Sequence, residues 1–344
     1  MAKHSGSLVS STLQEYGDAT RELLFGYLPV AEPRRYLYDL VADYPRRGGR
    51  SLRPSLCIAT ARAFGTPLEL ALRTAVSIEL IHNAMLIHDD IEDESEQRRG
   101  KPTMHRREGV PIAINVGDAL SLLAMRPLLD NRHALGPELS LRILEETERM
   151  ARESAEGQAL ELGWRRDNAT DVAEADYLLM VLKKTCWLAT IHPSRMGTLI
   201  GSAGAIDIDR CIRFGFFLGA AFQIQDDLLN LEGDADAYGK ELGGDIREGK
   251  RTLMLIDLMA KASAGEREWL VAMLNRPRQE RAHEDVAWVL ERMGAYGCCD
   301  YARQVAQGLA GAARYEMNAL YGALPDSRDK RFLEALPVWV IERN

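Results

Sequence analysis

The sequence predicts an all-α fold, a single large helical bundle around a central apolar cavity. Three observations point there. Apolar residues recur at helical spacing, as in Leu52, Leu56, Ala59 and Ala63 and again in Leu179, Leu182 and Cys186. The alternation expected of strands is almost absent. Proline, glycine and charge interrupt the pattern at 44–54, 98–111, 164–171, 233–249 and 262–266, and the segments between these breaks have helical length. From about Ala264 onward the pattern reads as further helices that close the bundle. No β-rich or linker-like block divides the helices, so they are expected to pack as one domain spanning 1–344.

Composition narrows the possibilities further. The chain has 344 residues, 46% hydrophobic and 27% charged, which is enough apolar material for a large core. A formal net charge of −8 argues against a general nucleic-acid binder, which needs a basic face. Five cysteines, scattered and without a C-x-x-C pair, indicate neither a disulfide framework nor a zinc site and suit a reducing compartment. No apolar run follows the first residues as a signal-peptide core would. The most apolar stretch, 110–129, is interrupted by Asn115, Asp118 and Arg126, short of the roughly 20 apolar residues of a spanning helix. A cytoplasmic protein without a membrane span is the expectation.

Two segments echo each other chemically. Leu86-Ile87-His88-Asp89-Asp90-Ile91-Glu92-Asp93 and Gln223-Ile224-Gln225-Asp226-Asp227-Leu228-Leu229-Asn230 each place an Asp pair after an apolar run, with another oxygen-bearing side chain four residues after the first Asp. On a helix, positions i and i+4 share a face about 6 Å apart along the axis, so Asp89 and Asp93 point the same way and repel. A hard divalent cation would offset the repulsion. Mg²⁺ is the natural candidate, because it takes oxygen ligands and is usually held by one or two carboxylates plus substrate phosphates. An Asp pair alone can equally be a solvated patch; two copies of the same construction, each followed by basic residues, favour the metal.

The basic residues form three groups. Arg98, Arg99 and Lys101 follow the first acidic segment, and Lys240, Lys250 and Arg251 follow the second. Near the N-terminus lies Gly48-Gly49-Arg50-Ser51-Leu52-Arg53-Pro54, where glycines allow close backbone approach to a phosphate and arginines offer planar forks. Any one group could be a charged loop. Together with the acidic faces they favour capture of an anion.

In this order, Gly49-Arg50 to Arg53, Asp89 to Asp93 with Arg98-Arg99-Gly100-Lys101-Pro102, Gly157-Gln158-Ala159-Leu160-Glu161, Lys184-Thr185, Phe222 to Asp227, and Gly239-Lys240 to Lys250-Arg251-Thr252 resemble a trans-isoprenyl diphosphate synthase. The match runs from about residue 45 to 255, and the stretch from Asp89 to Pro111 is most similar to geranylgeranyl diphosphate synthases. The resemblance implies Asp89, Asp93 and Asp226 as ligands of Mg²⁺, about three ions per site, with Asp90 and Asp227 in support. It implies Arg98, Lys184 and Lys240 on the allylic diphosphate. Arg50, Arg53, His82 and Arg99 would form the pocket for isopentenyl diphosphate, Thr185 and Gln223 would line the reacting carbons, and Lys250 would lie in a closing loop. A homodimer is also implied. Arg50 and Ser51 stand where family members often carry Lys and Arg, Glu161 where Asp is more usual, and Asn230 replaces a final Asp, so weaker metal contact is expected there.

The chemistry so implied is ionisation of an allylic carbon–oxygen bond, attack by the double bond of isopentenyl diphosphate on the cation, and loss of a proton, with water excluded by an apolar cavity. A class I terpene cyclase would share the ionisation but has no need of the Arg50, Arg53 and His82 pocket. A non-catalytic partner subunit would be expected to lose acidic ligands that this chain keeps. Product length would be read by the residues four and five before Asp89, which lie about 6 to 7.5 Å deeper by helical rise. They are Met85 and Ala84. Shorter-product relatives resemble one another in having an aromatic floor there, so a twenty-carbon product is expected, with farnesyl or longer products as the alternatives. The stop is placed deeper, at Leu122 or Met125. His88 and His105 are read as surface or core histidines and given no role, and Trp187 and His192, which follow Lys184-Thr185, either line the cavity or pack. Ala84→Phe is expected to shorten the product when products are sized by chromatography; an unchanged length would remove Ala84 from the ruler.

Overall fold

The computed structural model describes residues 2–232 and 243–343, with side chains from residue 6 onward. Its longer helices are α1 (Ala2–Tyr27), α2 (Leu52–Ala63), α3 (Leu68–Glu92), α4 (Val110–Leu123), α5 (Pro137–Arg166), α6 (Glu174–Val181), α7 (His192–Gly201) and α8 (Cys211–Glu232). After the undescribed stretch come α9 (Gly244–Glu248), α10 (Leu253–Lys261), α11 (Ala264–Leu274), α12 (His283–Ala295), α13 (Cys298–Tyr321) and α14 (Arg328–Glu342). The expected breaks separate the long helices, but their bounds shift: α2 begins at Leu52, α4 at Val110 and α11 at Ala264, α5 runs on to Arg166, and α9 lies within 233–249, of which 233–242 are outside the described residues. Among the described residues the only strands are Gln97–Arg98 (β1) and Lys101–Pro102 (β2), which pair antiparallel.

That hairpin replaces the charged loop expected there. Its two-residue turn, Arg99-Gly100, takes positive φ at both positions, 55° and 70°, the geometry that suits the twist of tight hairpins. Arg is a poor residue for this conformation, so no strand signal is legible at this turn. The turn projects Arg99 onto Gly49, where an added Cβ would lie 2.6 Å from Arg99 Nη2.

Helix α3 organises the core. Its buried residues, among them Ala71, Ala75, Ile78, Leu80, Ala84 and Ile87, cover nearly its whole circumference, so it is surrounded by other helices. Two apolar clusters form around it. Leu80, Ala84 and Ile87 join one, with Val116, Leu120, Ala220 and Ile224. Ala71, Ala75 and Ile78 join the other, with Leu56, Met196, Phe214 and Leu218. Helices α3 and α8 contribute to both clusters and so tie them together.

Between α6 and α7 the chain does not keep α-helical hydrogen bonding. Leu182–Ile191 is π-helical, a wide and uncommon turn found mostly at functional sites. It carries Lys184 and Thr185. Helix α5 reaches this segment through Gly157, where an added Cβ would meet the Lys184 backbone nitrogen at 2.1 Å. Trp187 and His192 are buried and pack: the Arg149 and Arg195 guanidinium groups lie 4.8 and 5.6 Å from the Trp187 ring centre.

Two stretches, Leu68–Glu92 and Val110–Leu135, are long and apolar enough by length and composition to cross a membrane. The second departs from the expectation that its polar residues disqualify it. The first is the core helix α3. The second keeps Val116 and Leu120 inside but leaves Leu122 and Leu129 exposed.

Gly157→Ala is expected to destabilise the fold by about 1–3 kcal/mol through overpacking against backbone, and to lower kcat by displacing Lys184. Urea unfolding and steady-state kinetics test both; unchanged stability would mean that α5 can retreat without cost.

Candidate active site

The two acidic segments end α3 and α8 and meet across a cavity. Asp89, Asp226, Asp227 and Asp245 line it with Glu161, Lys184, Thr185, Gln223 and Lys250. Each carboxylate is held by a donor. Lys184 Nζ bridges Asp89 Oδ1, at 3.3 Å, and Glu161. Asp227 accepts hydrogen bonds from Tyr177 Oη, 2.9 Å, and Gln223 Nε2, 2.7 Å, while Gln223 Oε1 accepts from Thr185 Oγ1 at 2.9 Å. Burial, reinforced by Asp245, pushes the Asp227 carboxyl well above the usual range.

Asp90 and Asp93 face elsewhere. Asp90 is fully buried and accepts from Arg98 Nε at 2.9 Å and from Tyr44 Oη. It therefore fixes Arg98, whose Nη2 also lies 3.3 Å from Asp89 Oδ2. Asp93, the residue just past the end of α3, is buried and paired with Lys250 Nζ at 2.7 Å and Arg165 Nη1 at 2.5 Å. Burial opposes its charge, but Lys250, Lys184 and Arg165 outweigh that and hold its carboxyl below the usual range. It does not line the cavity with Asp89. The i, i+4 spacing holds in the backbone, where the Asp93 N–H donates to the Asp89 carbonyl at 2.8 Å, but Lys250 and Arg165 take up the Asp93 side chain. Asn230 is also turned aside: its side-chain oxygen accepts from the Asp245 backbone N–H at 3.1 Å.

A second cavity is cationic. Arg47, Arg50, Arg53, Arg98, Arg99, His82 and Arg343 line it, with Glu79, Asp226 and Glu232 as its acids. Arg53 Nε is buried without a hydrogen-bond partner among the described residues, and burial lowers the Arg53 pKa to about 10. A guanidinium held in this way is poised for an anion. A third cavity of about 320 Å³ joins the other two, sharing Asp89, Lys184 and Gln223 with the first and Arg53, His82 and Phe222 with the second. Met85, Leu86, Leu188 and Phe222 give it apolar walls. Ala84 lies behind this wall, wholly buried in the core. Met125 packs partly buried against that core, whereas Leu122 is 73% exposed on the outer face of α4 and lines none of these cavities. His88, given no role in the sequence reading, reaches the apolar cavity. Lys240 lies outside the described residues.

Three residues escaped the sequence reading. Arg343 lies more than a hundred residues from its partners: it donates to Asp226 Oδ1 at 2.6 Å and to the Phe222 carbonyl at 2.7 Å, and stacks 3.7 Å from the Phe222 ring centre. Arg165 and Glu79 carry no motif. Glu79 sits one helical turn before His82, and that spacing was the one available signal.

A hollow that is acidic at one end, cationic at the other and greasy between suits an enzyme that moves a hydrocarbon from one diphosphate to another molecule, and this α-bundle is a transferase of that class. The chain belongs to the polyprenyl synthetase family, whose sequence model matches residues 34–293. It is 32% identical over 337 residues to geranylgeranyl pyrophosphate synthase of Geoglobus acetivorans, covering 98% of this chain and 100% of that one. Among solved structures it is similar to geranylgeranyl pyrophosphate synthetase from Pyrococcus horikoshii Ot3, with TM-score 0.85, 32% identity and 98% of each chain covered. It is also similar to a polyprenyl synthase from Caulobacter crescentus CB15 complexed with calcium and isoprenyl diphosphate, with TM-score 0.85, 27% identity and 98% of each chain covered.

Asp90→Asn should leave Arg98 short of its buried counter-charge and cost about 3 kcal/mol of stability. Chemical denaturation measures it; a loss below about 0.5 kcal/mol would show that Asp89 alone balances Arg98.

Proposed function

We propose that this prenyltransferase condenses isopentenyl diphosphate with an allylic diphosphate and releases geranylgeranyl diphosphate. The observation that carries the coupling reading is the cationic cavity: a second anion pocket, with Arg53 and Arg99 facing it, has no use in an enzyme that only ionises one diphosphate. This also weighs against the cyclase alternative. The two Asp motifs, intact at Asp89 and Asp226, weigh against a non-catalytic subunit.

The donor set at the acidic end consists of hard carboxylate oxygens, which suits Mg²⁺. Asp89 and Asp226 would hold it, with Asp227 and Asp245 beside them on the same cavity. Asp93 would join after leaving Lys250 and Arg165. Bound Mg²⁺ would draw charge from the leaving diphosphate. Lys184, Arg98 and Lys240 are assigned to the allylic diphosphate, and Lys250 to closing the site. Arg50, Arg53, His82 and Arg99 are assigned to isopentenyl diphosphate. Thr185 and Gln223, joined by a hydrogen bond, are assigned to orienting the reacting carbons. The apolar walls keep water from the cation.

The twenty-carbon assignment is supported by Met85, a flexible side chain rather than an aromatic floor on the cavity wall, with small Ala84 behind it. We also assign a homodimer, supported by the apolar residues left exposed along 110–129, Leu122 above all. A cytoplasmic setting is supported by five cysteines that are all free.

The test incubates purified protein with Mg²⁺, isopentenyl diphosphate and each allylic primer in turn. A twenty-carbon diphosphate is expected, from particles with the mass of two chains by sedimentation. Arg53→Met should raise the KM for isopentenyl diphosphate by about tenfold or more. Hydrocarbon formed from an allylic diphosphate alone would instead establish the cyclase.

A further inference from the structure

A buried carboxylate should repel the anion that a cationic pocket is built to hold, yet Glu79 lies in the cationic cavity. Its position is specific. Asn83 Nδ2 donates to Oε1 at 3.2 Å, and Oε2 lies 3.6 Å from Nδ1 of His82. That Nδ1 is buried and has no hydrogen-bond partner among the described residues. His82 lines both the cationic and the apolar cavity. Glu79 thus flanks the Nδ1 side of the imidazole from one turn earlier on the same helix, and both residues border the pocket.

We propose that Glu79 is a positioning residue for His82, holding the imidazole so that it takes up a proton as the homoallylic diphosphate binds and donates hydrogen bonds to that diphosphate and to Glu79. This rests on the assignment of the cationic cavity to isopentenyl diphosphate. A neutral imidazole has one donor nitrogen, whereas the imidazolium has two and can bridge two anions. The charged groups of the two cavities that His82 lines act in both directions. Arg47, Arg50, Arg53, Arg98, Arg99 and Arg343 in the cationic cavity and Lys184 in the apolar one disfavour a further positive charge in the free pocket, while Glu79, Asp226 and Glu232 in the first and Asp89 and Glu92 in the second favour one. Burial, with Arg53 and Arg99, depresses His82 to about 4 despite Glu79, so the free imidazole is neutral near pH 7. An arriving diphosphate offsets the arginines and adds its own negative charge, which raises the imidazole above its free value. The complex then carries one more proton than its parts, and affinity falls as pH rises from the free value toward the raised one and is level above it.

The experiment is calorimetric titration of isopentenyl diphosphate into the full-length protein at pH 7, in buffers of differing ionisation heat, paired with KM and kcat across pH. The wild type should take up about one proton more per binding event than His82→Gln, and its KM should rise by about tenfold per pH unit between the free imidazole's pKa and the complex's, levelling off above the complex's value. Glu79→Gln should lose most of that uptake, shift the rise in KM to lower pH, and raise KM near pH 7 by about tenfold with a smaller change in kcat. Glu79→Asp, which keeps the charge, should recover part of the uptake, and Glu79→Gln/His82→Gln should bind as His82→Gln does. Equal proton uptake in wild type and both Gln variants, or additive losses in the double variant, would overturn the proposal while leaving the substrate assignment intact. Absence of any binding by the wild type would overturn that assignment itself.

Discussion

Crowding of negative charge around one hollow is the constraint on which this structure depends. Asp89, Asp226, Asp227 and Asp245 share a cavity wall, with Asp90 and Asp93 just behind. Carboxylates at such separations raise one another's energy unless each is compensated. The fold compensates them individually: Lys184 serves Asp89, Arg98 serves Asp90, Lys250 and Arg165 serve Asp93, and Arg343 serves Asp226. Neutral donors, Tyr177 and Gln223, serve Asp227. Much of the architecture exists to bring these partners from distant parts of the chain to two helix ends.

The resulting charge layout is also what the chemistry requires. Helix α3 runs past all three cavities, giving Glu79 and His82 to the cationic one, Met85 and Leu86 to the apolar one and Asp89 to the acidic one. Two substrates with diphosphate heads and hydrocarbon bodies can therefore be aligned by one rigid element. Alignment of this kind replaces part of the entropy cost of a two-substrate reaction.

The sequence revealed the parts of this plan that are local. Helical periodicity gave the bundle, and the echo between 86–93 and 223–230 gave both acidic ends through Asp89, Asp226 and Asp227, whereas neither i+4 residue, Asp93 or Asn230, lines the acidic cavity. Three kinds of feature were hidden. Asp93 keeps the helical turn, its N–H donating to the Asp89 carbonyl at 2.8 Å, but its side chain is taken up by Lys250 and Arg165 from distant parts of the chain. The hairpin at 97–102 depends on Arg99 accepting positive φ, against its preference. Arg343 and Arg165 act through partners far away in sequence, and no spacing rule reaches that distance. Ala84 shows a subtler gap: one face of α3 meets the cavity and the next meets the core, and a single residue separates them.

The π-helical stretch that carries Lys184 and Thr185 bears on how such a chain can vary over time. Other side chains on that stretch can be exchanged while the surrounding helices hold it, as long as its length is conserved. Removing one residue would return the turns toward ordinary α-helical winding, a change absorbed within the stretch that re-aims its side chains while α6 and α7 stay in place. The lysine that reaches Asp89 would then lose its place against the tightly packed glycine of α5. Descendants of this sequence should therefore keep the length of this stretch, with Lys184 and Thr185 in place, while its other side chains vary.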